Sequence, residues 1–160
     1  MSVQLSTGLR NGMLNATGMY TAFLHGVMYI YSGPQPLNAD QAVQGTLLGI
    51  VTQTAGAFTQ GTAANGLNLT NTPALGVATK EATAWQVGNG AGTAGWSAAG
   101  IAGWFRLMGN AVDALGTSTT LARMDGSIAQ TGGDLNLSSV TTVVAAPATI
   151  DVFQFTLPPS

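Results

Sequence analysis

The chain has 160 residues, a length that fits one domain, with four Lys or Arg, six Asp or Glu, one His, no Cys and a formal net charge of −2. The four cations, Arg10, Lys80, Arg106 and Arg123, are scattered and cannot form a phosphate-neutralising stripe, which argues against nucleic acid as a partner. The missing cysteines exclude a disulfide framework, a thiolate zinc site and a cysteine nucleophile.

Charged residues make up 6% of the chain, against about 25% in ordinary domains. The surface must then be built from Thr, Ser, Asn, Gln, Gly and Ala. So few charges give little electrostatic protection against self-association, so the chain is either a neutral-surfaced soluble domain or, the favoured reading, one with much of its surface covered by partner subunits.

The opening MSVQLSTGLRNGML has neither a basic nor an apolar leader segment, so no secretory signal is expected. The Asn-x-Ser/Thr triplets at Asn15, Asn68 and Asn136 then carry no glycosylation meaning. Within it, LSTGLRNGMLNAT (5–17) reads as a short helix capped by Ser6 or Thr7, with Leu9 and Leu14 as its apolar face. Residues 1–25 are expected to form this helical arm, and 26–160 a β domain.

VMYIY (27–31), stopped by Ser32-Gly33-Pro34, is the first strand signal, and TLLGIVTQ (46–53) the second. Short runs between Gly, Asn or Asp-Gly punctuation follow: GLNLT (66–70), GVATK (76–80), TAWQV (83–87), IAGWFRLM (101–108), LARM (121–124) and SIAQ (127–130) around an Asp125-Gly126 hairpin turn, DLNL (134–137), VTTVV (140–144) and IDVFQFTL (150–157). This grammar predicts an all-β fold, a single β-sandwich or jelly-roll-like domain with a short N-terminal helix. AAGIAGWF (98–105) is far too short to span a membrane, so no membrane association is expected.

In the last strand, Phe153, Phe155 and Leu157 alternate with Val152, Gln154 and Thr156. In IAGWFRLM, alternation assigns Ile101, Phe105 and Leu107 to the core and Ala102, Trp104, Arg106 and Met108 to the outer face. That places Trp104 within cation–π reach of Arg106. Either Trp104 covers the outer sheet face or it builds a subunit contact with Arg106. Arg10, Trp85, Trp96, Trp104 and Arg106 are the candidate contact residues, since Trp and Arg are enriched at binding hot spots.

GAGTAG (90–95) spells the dinucleotide fingerprint G-x-G-x-x-G. The fingerprint needs a helix opening at its last glycine to hold the pyrophosphate. Gly100, Gly103 and Gly109 interrupt any such helix, so a loop leading into a strand is expected, and no cofactor. Gly95-Trp96-Ser97 lacks the last glycine of a nucleophile elbow, and the single His25 precedes it. His25 reads as a turn or packing residue. Glu81 beside Lys80 reads as a solvated strand end, and Asp113, Asp134 and Asp151 as loop acids. Calcium held by Asp134 and Asn136 is conceivable, but the spaced acids of an EF-hand are missing. No catalytic constellation emerges.

LSTGLRNGML (5–14), YIYSGPQPLNADQAVQGTLLG (29–49), AGWFRL (102–107), ARMDGSIAQTGGDLNL (122–137) and the closing FTLP (155–158) give the chain a likeness along nearly its whole length. It resembles a family of small virion structural proteins encoded by tailed bacteriophages. The resemblance implies particle structure rather than catalysis and carries no functional residues across. The expected role is a capsid decoration (cement) protein that binds the major capsid protein, copies of itself, or both, in the virion. A tail, baseplate or fibre-associated protein is the alternative within that class. A glycan- or receptor-binding β module, with exposed Trp85, Trp96 or Trp104 stacking on sugar rings, is the alternative outside it.

Overall fold

In the computed structural model, which describes residues 3–15, 17–72 and 74–156, the chain is an all-β single domain with two short helices. The elements are β1 (Gln4–Leu5), α1 (Thr7–Leu14), α2 (Met19–Ala22), β2 (Val27–Ser32), β3 (Leu47–Gln53), β4 (Val77–Thr79) and β5 (Trp85–Gly88). They continue with β6 (Gly100–Met108), β7 (Arg123–Ala129), β8 (Leu135–Asn136), β9 (Thr141–Thr142), β10 (Thr149–Ile150) and β11 (Gln154–Thr156). Nine strands join one sheet in the order β1-β7-β6-β2-β3-β5-β10, with β8 beside β7 and β9 beside β6; β4 and β11 form a separate two-stranded sheet.

Ser6 fixes the start. Its hydroxyl accepts from the Leu9 amide at 3.1 Å, the N-cap bond that satisfies an orphan donor of α1. The same oxygen donates to the Leu121 carbonyl at 2.7 Å and accepts from the Arg123 amide at 3.0 Å, which ties α1 to β7. A Cβ at Gly8 would lie 2.4 Å from the Thr120 backbone, so only glycine lets the helix sit this close. The segment expected as an arm therefore adds β1 to the sheet and packs on its own domain. Leu9 is buried but Leu14 faces solvent. Five residues apart, they stand about 140° apart around a helix, so one apolar face cannot hold both. Ala16 of the expected helix lies outside the described residues.

The central strands β2, β6 and β7 place different chemistry on their two sides. Met28, Ile30, Phe105, Leu107 and Met124 join the apolar core. The opposite side aligns Tyr29, Arg106 and Asp125 in one row and Tyr31, Trp104 and Ser127 in the next. That second side was expected to face outward, but Trp104, Arg106, Met108 and Asp125 are all buried. The connection from β2 to β3 folds over it and contributes the buried Gln35 and Ala39.

Ile101 was assigned to the core, yet it is 64% exposed while Ala102 is buried. The register between β2 and β6 slips between Tyr31 and Ser32, pairing Tyr31 with Trp104 and Ser32 with Ala102. Gly103 is the extra residue of this bulge, and every side chain before it changes face. A Cβ at Gly103 would lie 2.2 Å from the Gly33 carbonyl oxygen, which explains the glycine.

Asp125-Gly126 is not a hairpin turn; both residues lie inside β7. The missing side chain of Gly126 admits the Phe105 ring, 2.5 Å from where a Cβ would stand. GLNLT makes only single bridges, Leu67 to Gly26 and Leu69 to Lys80. IDVFQFTL divides into β10 and β11, because Phe153 turns inward between them. Its ring meets Phe105 edge-on at 5.7 Å and Trp85 at 5.4 Å. Phe155 packs against the core beside it while Val152 and Gln154 face outward. Leu157, Pro158 and Pro159 lie outside the described residues.

Candidate functional site

Four of the chain's ten charged residues are buried together on the covered side of the sheet. Arg106 grips Asp125 with both arms of its fork, Nε to Oδ1 at 2.7 Å and Nη2 to Oδ2 at 2.6 Å. Arg123 grips Asp113 in the same way, at 2.7 and 2.6 Å. The remaining nitrogen of Arg106 donates to the Gln41 carbonyl at 2.9 Å, and Nη1 of Arg123 approaches the Ala39 and Gln41 carbonyls at 3.5 Å. The strands hold the first pair rigidly, since Arg106 and Asp125 are direct cross-strand partners on β6 and β7. Trp104 lies under Arg106, with the guanidinium carbon 5.6 Å from its ring centre, and stacks on Tyr31 at 4.7 Å.

Burial pushes the Asp125 carboxyl up from its ordinary value, while the Arg106 hydrogen bonds and charge, and then Arg123, pull it back. Both carboxylates are occupied by guanidinium forks, which suits them to fixing strands rather than moving protons. Asp113 and Asp125 were read as loop and turn acids, so the sequence reading missed this cluster. The available signal was Arg106 itself: a cation inside the apolar run WFRLM, in a chain with six acids, calls for a buried partner.

The candidate contact residues are dispersed. Trp85, Trp104 and Arg106 are at most 1% exposed and Trp96 is 6% exposed. Trp85, Trp104 and Arg106 are taken up by the chain's own interior and offer a partner no surface, and Trp96 shows only its remaining 6% in the wall of a concavity. The expected Trp104–Arg106 stacking exists, but as a core contact. Arg10 alone of the five is exposed, and its Nη2 donates to the Thr7 hydroxyl at 3.0 Å.

GAGTAG forms a loop into β6. Asn89 organises it, accepting from the Ala91 amide at 2.8 Å and the Thr93 amide at 3.1 Å. Gly90, Gly92 and Gly95 all take positive φ. His25 occupies a turn with φ of 55°, and its amide donates to Asn68 Oδ1 at 2.8 Å. Glu81 is half-buried rather than solvated: it accepts from Gln53 Nε2 and from Asn68 Nδ2. The Asp134 carboxylate accepts from the amide and hydroxyl of Ser127, both at 2.8 Å, and Asn136 Oδ1 from the Gly133 amide at 3.0 Å. Among the described residues no three His, Cys, Asp or Glu side chains gather where they could hold a metal ion. A concavity of about 730 Å³ runs between Trp96, the 133–139 segment and the 146–154 segment. Among the described residues, Asp134 and Asp151 are its only ionisable wall residues.

The surface follows from this arrangement. Of the ten charged residues, only Arg10 and Asp151 are exposed; four are buried and four half-buried. The half-buried ones are engaged: Asp40 accepts from the amide and hydroxyl of Thr7 at 2.7 and 2.6 Å, and Lys80 donates to the Glu81 and Thr83 carbonyls. Leu14, Leu37, Leu75, Ile101, Val112, Val143, Val144 and Val152 are exposed.

Tyr31 gives this region a pH signature. Its hydroxyl is buried without a hydrogen-bond partner, and burial, reinforced by Tyr29, holds the phenol well above its ordinary range. The folded state thus keeps that proton more tightly than the unfolded chain. The resulting stability is complete below the unfolded phenol value, about 10, and is lost as pH rises beyond it. Tyr31→Phe should change stability at neutral pH by no more than about 1 kcal/mol while flattening the alkaline loss. Denaturant midpoints at neutral and alkaline pH check both halves.

Among the described residues no helix is long and apolar enough to cross a membrane. Comparison with protein-family models, curated proteins and solved structures gives no match.

Proposed function

We propose that the protein is a structural component of a tailed-bacteriophage virion, a decoration protein that binds the major coat protein shell and stabilises it. The observation that carries this reading is the surface, with two exposed charges and, among the described residues, eight exposed large aliphatic side chains. A protein working alone at high concentration needs charge to stay dispersed. One held in place by many neighbours does not, and repeated modest contacts on a shell sum to firm attachment. The likeness of the strand and turn segments to phage virion proteins supplies the particle. The glycan-binding alternative loses most of its platform, because Trp85 and Trp104 are at most 1% exposed and Trp96 only 6%.

Copy number tests the proposal. Quantitative mass spectrometry of purified virions should find this chain at a level comparable with the coat protein, and particles lacking it should rupture at lower temperature. A count of only a few copies per particle, with loss of tail assembly on deletion, would overturn the shell assignment in favour of the tail.

A further inference from the structure

We infer that two copies of this chain associate reciprocally, each inserting Leu75 into a groove on the other beside α2. This does not depend on the virion reading.

Ala74 and Val77 close a two-residue hairpin, with Val77 N donating to Ala74 O at 2.9 Å and Ala74 N to Val77 O at 3.3 Å. Leu75 and Gly76 at its tip have φ of 53° and 75°, the signature of a type I′ turn. That turn favours Asn-Gly, because the left-handed region strains a residue with a Cβ. Here a leucine takes the strained position and is 99% exposed. Backbone preference and apolar burial are both violated at one residue, and none of the described residues covers it. Such local conflicts concentrate where a protein acts on something else.

The receiving surface lies next to the same hairpin. A groove of about 460 Å³ is walled by Met13, Met19, Tyr20, Gly76, Ala78 and Phe155, with ample room for a leucine side chain. Flexible methionines adapt such a surface to an inserted side chain. Because Gly76 belongs to the groove and Leu75 precedes it, the inserting residue and its receptor share one patch. A two-fold axis through that patch brings each leucine to the other copy's groove, the self-complementary geometry of an isologous contact. Charge permits it: among the described residues no Asp, Glu, Lys, Arg or His lines the groove, so two identical faces meet without like charges opposed. A differently charged partner would gain nothing from such a wall, which favours a second copy as the occupant.

Sedimentation velocity on the purified chain tests this, with two variants. Leu75→Asn installs the residue the turn prefers, so it should hold or raise the thermal midpoint. Losing two reciprocal anchors should weaken association by about two orders of magnitude or more. Gly18→Leu blocks the groove from its rim, where an added Cβ meets nothing within 4 Å and the backbone has φ of −68°. It should likewise give monomers while leaving the turn intact. The expected result is a wild-type dimer and two folded, monomeric variants. A monomeric wild type, or a dimer that survives either variant, overturns the inference. A larger ring held through Leu75 overturns the reciprocal geometry, and a monomer that needs Leu75 only to bind coat shells overturns the choice of partner.

Discussion

Truncating Asp125 to alanine is expected to lower the free energy of unfolding by about 3–5 kcal/mol, a large share of the roughly 5–15 kcal/mol a domain has in total. The pair itself is not the source of that figure. Bringing two ions out of water nearly offsets their attraction, and the loss arises because Arg106 is left charged, fully buried and without its fork partner. The Gln41 carbonyl satisfies only one of its nitrogens. The second pair adds to the effect, because Arg123 also draws on Gln41 and its charge acts on Asp125. The paired replacement Arg106→Met with Asp125→Leu should recover most of the stability, since it removes both charges and keeps apolar volume. Urea unfolding followed by tryptophan fluorescence decides the matter. A single variant within about 1 kcal/mol of wild type would mean the cluster is hydrated and cheap to break.

Trp104→Ala is the second large effect, about 3–5 kcal/mol by the usual cost of removing a buried aromatic. The indole is wholly enclosed, stacked on Tyr31 and beneath the Arg106 guanidinium, so its loss leaves a cavity and uncovers the ion pair. The experiment also separates two roles for this residue. A tryptophan serving a subunit contact would leave monomer stability within about 0.5 kcal/mol when truncated and reduce association instead. Thermal unfolding of the variant, read beside its sedimentation behaviour, should show the stability loss.

Most of the sheet was legible because β2, β3, β5 and β6 are β-branched or aromatic runs bounded by Gly, Pro or Asn. The GAGTAG loop was legible because its glycines sit where no helix can continue. What escaped was set by distance in space. Alternation assigned Ile101 inward because it assumes an unbroken pleat, and the bulge at Gly103 follows from the approach of Gly33, about seventy residues earlier. Asp125-Gly126 has the composition of a turn, yet Arg106 needs its acid and Phe105 needs its glycine, so β7 runs straight through. The covered second side of the sheet was invisible for the same reason. Nothing local says that the segment after β2 returns over Trp104 and Arg106.

The strand order also has a consequence for how the chain is made. β2 can pair with β3 soon after both leave the ribosome, but its other neighbour is β6, which begins at Gly100. At about 5–20 residues per second, β2 waits roughly 4–15 s for that edge to be filled. β1 waits longer still, for β7. During this interval VMYIYS exposes an unpaired edge and two apolar faces, and Arg106 has yet to meet Asp125. Folding dominated by such long-range pairings is slow, and crowded nascent chains would be most prone to joining the wrong partner at this stage.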